Sequence, residues 1–190
     1  MSKTLFSALA LACAAACLPA QAEITLIAKA SLPGDASDLS GLTGLLESGV
    51  PGNLLGGLGS GLAWAGGTTF LALPDRGPNA AAWNSFVDNT TSWIPRVQTL
   101  TLTLQPVADG GLPFTLQAAL TGTTLLYTRD ALAYGPAVPP VNGKNKHYFS
   151  GRSDNFSAAT DSLSPADGRL DPEGIRVSYN GKRVYLTDEY

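Results

Sequence analysis

One pattern occurs twice in this chain and constrains its fold more than any other feature. Gly61-Leu62 leads through an apolar run, a glycine turn and a second apolar run to Leu73-Pro74-Asp75-Arg76. Gly174-Ile175 leads the same way to Leu186-Thr187-Asp188-Glu189. Glycine and aspartate are 14 positions apart in both units, and the units are offset by 113 residues. Each unit reads as a β-hairpin ending in an acidic loop. Gly66-Gly67 and Asn180-Gly181 supply the turns, because such dipeptides tolerate the positive φ angles of two-residue hairpin loops. A repeated hairpin cannot bury both its faces alone and needs stacked neighbours. Propeller blades take about 40–50 residues, so the offset predicts two to three blades.

The rest of the chain carries the same strand period. No window of ten or more residues holds a steady helical period. Short apolar runs alternate instead, broken by glycine, proline and asparagine. Strands are predicted over 24–30, 60–65, 69–73, 96–104, 175–179 and 183–187. Phe114–Leu120 and Thr123–Thr128 are predicted to form a further pair. Two glycine- or proline-bearing stretches, Pro33–Gly59 and Pro136–Ser164, are long for connectors, and such loops are functional or mobile. The expected fold class is all-β, a β-propeller. A propeller closes with at least about four blades, and this length supplies three to four, so an incomplete N-terminal portion is expected, ending within a blade.

The first residues read as an export signal. Lys3 precedes an apolar run from Leu5 to Leu18, and Ala20-Gln21-Ala22 is an A-x-A cleavage site. Residues 1–22 are therefore expected to be removed, leaving 23–190 as one domain in the periplasm or outside the cell. The apolar run is shorter than the roughly 20 residues of a spanning helix. Both cysteines, Cys13 and Cys17, lie inside it. The exported portion thus lacks thiol chemistry, disulfides and cysteine zinc sites, and its single histidine, His147, rules out multi-histidine metal sites. It would keep 11 of the 12 bases against all 15 acids, a net charge of −4. That balance speaks against nucleic acid, which needs a basic patch or stripe.

Three stretches, SGLAWAGGTTFLALPDRGPN, GRSDNFSAATDSLSPADGRLDPEGI and VYLTDEY, resemble the phytase-like family of secreted bacterial proteins (esterase-like activity of phytase). The likeness covers nearly all of 23–190, and its DPEG-to-DEY pairing is the more specific part. The resemblance implies a β-propeller related to the calcium-dependent phytases. The chain departs from the family's pattern where Gly-Pro would continue the last motif. It also lacks the dense basic cluster that those phytases set against a highly phosphorylated inositol, which points away from phytate itself.

The acids give a reading of their own. Asp75, Asp171, Glu173 and Asp188 all fall where strands meet loops, so one propeller rim could gather them, with Glu189 beside them. Clustered carboxylates repel unless a cation or a base sits among them, and Ca²⁺ takes oxygen ligands of this kind. Asp171 and Glu173 are two apart, so an extended backbone points both to one face, and Pro172 stiffens that presentation. Asp75, Asp171, Glu173, Asp188 and Glu189 are therefore the candidate Ca²⁺ ligands, and Asp171, Glu173 and Asp188 the candidate catalytic groups. The plainer alternative is turn chemistry, in which Asp75 and Asp188 tie their own loops. Glu189 has its own plainer role, a surface pair with Arg76 or Arg169.

Arg76, Arg152 and Arg169 are the candidate substrate contacts, since the guanidinium fork suits phosphate. Arg129, Lys144, Lys146 and His147 also lie in loops or at strand ends. Rival chemistries lack their motifs. Gly57-Leu58-Gly59-Ser60-Gly61 has glycine rather than serine at its central position, so it is not a G-x-S-x-G elbow, and no lysine follows to make a phosphate loop. Two functions are expected from different classes. One is a metal-assisted ester hydrolase acting on small phosphoesters first and carboxylesters second. The other is a non-catalytic propeller scaffold that binds a ligand or partner at the cell envelope. A lactonase or sugar-oxidising propeller would share fold and calcium.

Overall fold

The computed structural model describes residues 23–79, 90–108, 111–159, 161 and 163–190. The export signal of residues 1–22 lies outside them. Among the described residues there is no helix, so none long and apolar enough to cross a membrane. The described residues are all-β, with eight strands in three antiparallel sheets, none of them closed.

The largest sheet is a meander of four strands: β1 (Gly61–Gly66), β2 (Thr69–Leu73), β3 (Arg96–Pro106) and β4 (Phe114–Leu125). Gly66 and Gly67 close the β1–β2 hairpin with φ of 115° and 54°, angles that favour glycine. Two short pairs complete the set: β5 (Tyr127–Thr128) with β6 (His147–Tyr148), and β7 (Pro172–Val177) with β8 (Val184–Asp188).

The two repeated hairpins pack on one another. Ile175 of β7 is fully buried against Ala63, Leu73 and Val97, with Leu71, Leu126, Val177 and Leu186 around them. Burying a side chain such as Ile175 or Leu73 contributes about 1.5–3 kcal/mol. The approach is close because Gly61 has no side chain. A Cβ there would lie 2.8 Å from Ile175 Cγ2. The stacking expected of a repeated hairpin is thus met by the other repeat. Among the described residues, the offset between the two hairpins holds β3, β4, the short β5–β6 pair and the long segment before β7.

Several local expectations are corrected. Residues 24–30 form no strand. Ile24 and Leu26 are exposed, and the segment meets β4 through one bond, Phe114 N to Ile27 O at 3.1 Å. Alternation alone does not make a strand when nothing buries one of its faces. Residues 114–125 are one strand rather than the first arm of a hairpin, because every residue of it but Thr121 pairs with β3. Thr121 is accommodated as a bulge, the register passing from Thr99↔Gly122 to Leu100↔Leu120. The last hairpin forms as expected, but its turn differs. Gly181 N donates to Ser178 O, Ser178 N to Arg183 O, and Gly181 alone takes positive φ, 67°. Asn180 instead accepts from Lys182 N and Ser178 Oγ.

The stretch 33–59 is tied into the fold. Asp38 is buried in an ion pair with Arg96, and Gln98 donates to the same carboxylate oxygen. Arg96 also donates to Ser40 Oγ and stacks 3.8 Å from the centre of the Trp93 ring. A charge buried this deeply is tolerated only when paired and hydrogen-bonded.

A candidate metal centre between the two hairpins

The three stretches that carry the family resemblance meet at one place. Arg76 follows β2, Asp171 precedes β7, and Glu189 follows β8. Arg76 reaches Asp171 twice: its main-chain N donates to Oδ1 at 3.2 Å and its Nη1 to Oδ2 at 3.0 Å. The main chain of Asp171 is held as well. Its N donates to Asp188 Oδ1 at 2.9 Å, and its O accepts from Glu189 N at 3.0 Å.

Around this anchor, carboxylate oxygens of Asp171, Glu173 and Glu189 lie within 4.8 Å of one another. The β7–β8 register explains why. Pro172 pairs with Asp188 and Gly174 with Thr187, so Glu173 is the extra residue of a bulge. Bulges re-aim side chains, and this one leaves Glu173 exposed beside Asp171. Asp171 is only 1% exposed, whereas Glu173 and Glu189 face solvent. Burial pushes the Asp171 carboxyl up to about 6, and Glu173 adds to the rise, while Arg76 pulls against it. Three hard oxygen donors at this spacing, one dry and two wet, fit a divalent cation such as Ca²⁺ or Mg²⁺. No ion type is singled out by the donors.

Asp75 and Asp188 stand outside that trio and repeat each other's role. Asp75 Oδ1 accepts from Gly77 N at 2.8 Å, and Asp188 Oδ1 from Tyr190 N at 3.3 Å, each two residues on. Both are aspartate turns at equivalent positions of the repeat. Asp188 remains adjacent to the trio through its bond to Asp171 N.

Of the candidate anion contacts, Arg76 is at the site. Arg169 is close by, its guanidinium 4.9 Å from the centre of the Tyr190 ring and 4.3 Å from that of Phe156. Its Nη1 donates to Ser153 O, and its Nε lies 3.4 Å from Asp167. Arg152 belongs to a separate network, forked onto Asp154 and bonded to Glu47, which also holds Ser92. Hydrogen bonding to Ser92 and Arg152 holds the Glu47 carboxyl below its ordinary value, although its burial works the other way. Lys146 lies 5.2 Å from the centre of the Tyr127 ring, and Arg129 is exposed.

Sequence reasoning missed Trp93 and the buried Asp38–Arg96 pair. No local pattern signals them, since Arg96 and Asp38 are 58 positions apart. No family model, curated protein or solved structure matches this chain.

Proposed function

We propose that the chain is an exported, phytase-like, metal-assisted ester hydrolase, acting on phosphoesters first and carboxylesters second. The observation that carries this reading is the convergence of Asp171, Glu173 and Glu189 from both strands of the last hairpin. A propeller is the architecture we infer. The four-stranded meander is one blade's worth of sheet, and the stacked repeat supports it. Export rests on the sequence of residues 1–22.

Asp171, Glu173 and Glu189 would hold Ca²⁺ with Arg76 at its edge. A divalent ion there supplies Lewis-acid polarisation of an ester oxygen and a bound water of lowered pKa. Glu173, exposed and itself one of the three, would offer its second carboxylate oxygen as the proton acceptor. Asp188 keeps Asp171 oriented through its main-chain N. Arg76 would meet a negative charge developing on the ester.

The test is hydrolysis of p-nitrophenyl phosphate and p-nitrophenyl acetate by the full chain, with Ca²⁺ and with chelator. Chelator-sensitive turnover that disappears in a folded Glu173→Gln variant is expected. Turnover indifferent to both would end the metal-assisted reading.

A scaffold role is the second reading, and the Arg76–Asp171 contact favours it. Both oxygens of the buried carboxylate are engaged by Arg76, as in a structural tie. Ligand capture without turnover, unchanged by chelator, is its signature.

A further inference from the structure

We propose that the cleft beside the Arg76 turn is an oxyanion subsite, with the indole N–H of Trp93 and the Arg76 guanidinium as its donors. The cleft has a volume of about 450 Å³. The glycine-rich segment with Gly56, Gly57 and Gly59 forms one wall, the turn from Pro74 to Asn79 the other, and Trp93 completes the lining. Glycine walls carry no side chains, so a ligand can approach the backbone and the indole closely.

Trp93 is fixed from several directions. The Arg96 guanidinium stacks on its ring at 3.8 Å from the centroid. Gly77, with φ of 94°, lies so near that a Cβ would come within 2.5 Å of indole Cδ2. Trp93 O accepts from Gly151 N at 2.8 Å. The residue is 1% exposed, yet its Nε1 has no hydrogen-bond partner among the described residues. Buried donors are nearly always paired, and leaving one unpaired is unfavourable. Trp93 lines the cleft, and its rigid, dry, unpaired N–H is complementary to a ligand oxygen.

Charge selects which oxygen. Arg76 lines the same cleft and holds Asp171 through Nη1, so its positive charge lies between the cleft and the acid trio. Asp75 also lines the cleft, but its Oδ1 is engaged by Gly77 N. An indole N–H and a guanidinium together match one anionic group with two or more acceptor oxygens, a phosphoryl or a carboxylate. The subsite would then seat the charged end of an ester beside the acid trio. This assignment rests on the proposed ester hydrolysis for ranking phosphate first, but binding to the cleft does not itself require the cation.

The experiment is an ¹⁵N spectrum of the tryptophan indoles of the full chain, with chelator present, titrated with inorganic phosphate and separately with acetate. The Trp93→Phe spectrum assigns the Trp93 signal. If that variant fails to fold, Trp64→Phe and Trp83→Phe assign it by elimination. Saturable movement of the Trp93 signal with phosphate is expected, and folded Trp93→Phe should bind phosphate at least about tenfold more weakly. Movement with acetate alone keeps the oxyanion subsite and makes the ligand a carboxylate. No movement with either anion, or undiminished phosphate binding by folded Trp93→Phe, overturns it. Glu173→Gln separates the two readings, since it should abolish cation-dependent turnover and leave the phosphate-induced indole shift intact.

Discussion

Arg76 and Asp171 stand 95 positions apart in the chain and meet through two hydrogen bonds, one from the main-chain N and one from Nη1 of the arginine. The contact joins the end of the first repeated hairpin to the start of the second. Asp171 is fully buried and the Arg76 side chain about a fifth exposed, at 1% and 21%. Removing the arginine would leave a dry carboxylate without its counter-charge, which is more costly than losing a surface pair. Arg76→Ala should lower the unfolding free energy by about 2–3 kcal/mol in urea denaturation. A loss within about 0.5 kcal/mol, the range of an ordinary surface substitution, would show that the pair holds nothing together.

The pH dependence of stability should carry the mark of Asp171. Its carboxyl titrates near 3.8 when unfolded and is pushed up to about 6 when folded, chiefly by burial. A raised folded value means that the folded chain holds its proton more tightly. The contribution is fully present below about pH 4 and is lost as pH rises through about 6. Two pH units of difference correspond to on the order of 3 kcal/mol. Asp171→Asn cannot titrate, so its stability should lack this decline. Urea midpoints of the two proteins at several pH values between these limits check it, and parallel profiles would rule the shift out.

A divalent cation should stabilise the chain by mass action. At a free concentration of about 100 times its Kd, Ca²⁺ should add roughly 2.7 kcal/mol of unfolding free energy, reversed by chelator. Replacing one of three carboxylates with an amide removes a charge and leaves a weaker, neutral oxygen donor. Glu173→Gln should therefore need about tenfold more Ca²⁺ for the same rise in thermal midpoint. A midpoint insensitive to Ca²⁺ and Mg²⁺ in the parent protein would leave the acid trio without a metal.

Two glycines of opposite environment make a paired test of the packing around Arg76. A Cβ at Gly151 would lie 1.8 Å from Arg76 O, a main-chain atom that cannot step aside. Gly44 is exposed, with nothing within 4 Å of its Cβ direction. Gly151→Ala should cost at least about 3 kcal/mol, while Gly44→Ala should stay within about 0.5 kcal/mol. Equal thermal midpoints for the two variants would contradict the close approach of these backbones.

The expectation that the turn acids repeat one another could be formed from spacing alone, because Asp75 and Asp188 each act within their own local segment. The same spacing could not separate them from the metal-ligand candidates. Glu173 and Glu189 join Asp171 only because a bulge in β7 and the end of β8 bring them there. A one-residue change of register would send those side chains elsewhere. Trp93 gave no sequence signal, since its role depends on Gly77, Arg96 and Gly151 arriving around it.

The amino-acid sequence by itself determined the strand-only character of the described chain, the two repeated hairpins and the glycines that turn them. These depend on the two-residue alternation of strands and on φ angles, which neighbouring residues set between them. Only the tertiary structure decided that 114–125 is one strand against β3, that Asp38 lies buried on Arg96, and that the two hairpins stack directly through Gly61 and Ile175. It also decided which acids share a site. Asp38 and Arg96 are 58 positions apart, and Gly61 and Ile175 are farther still, while the strand against β3 and the shared acid site turn on register and bulges. Such contacts are fixed by collective packing and register rather than by local pattern.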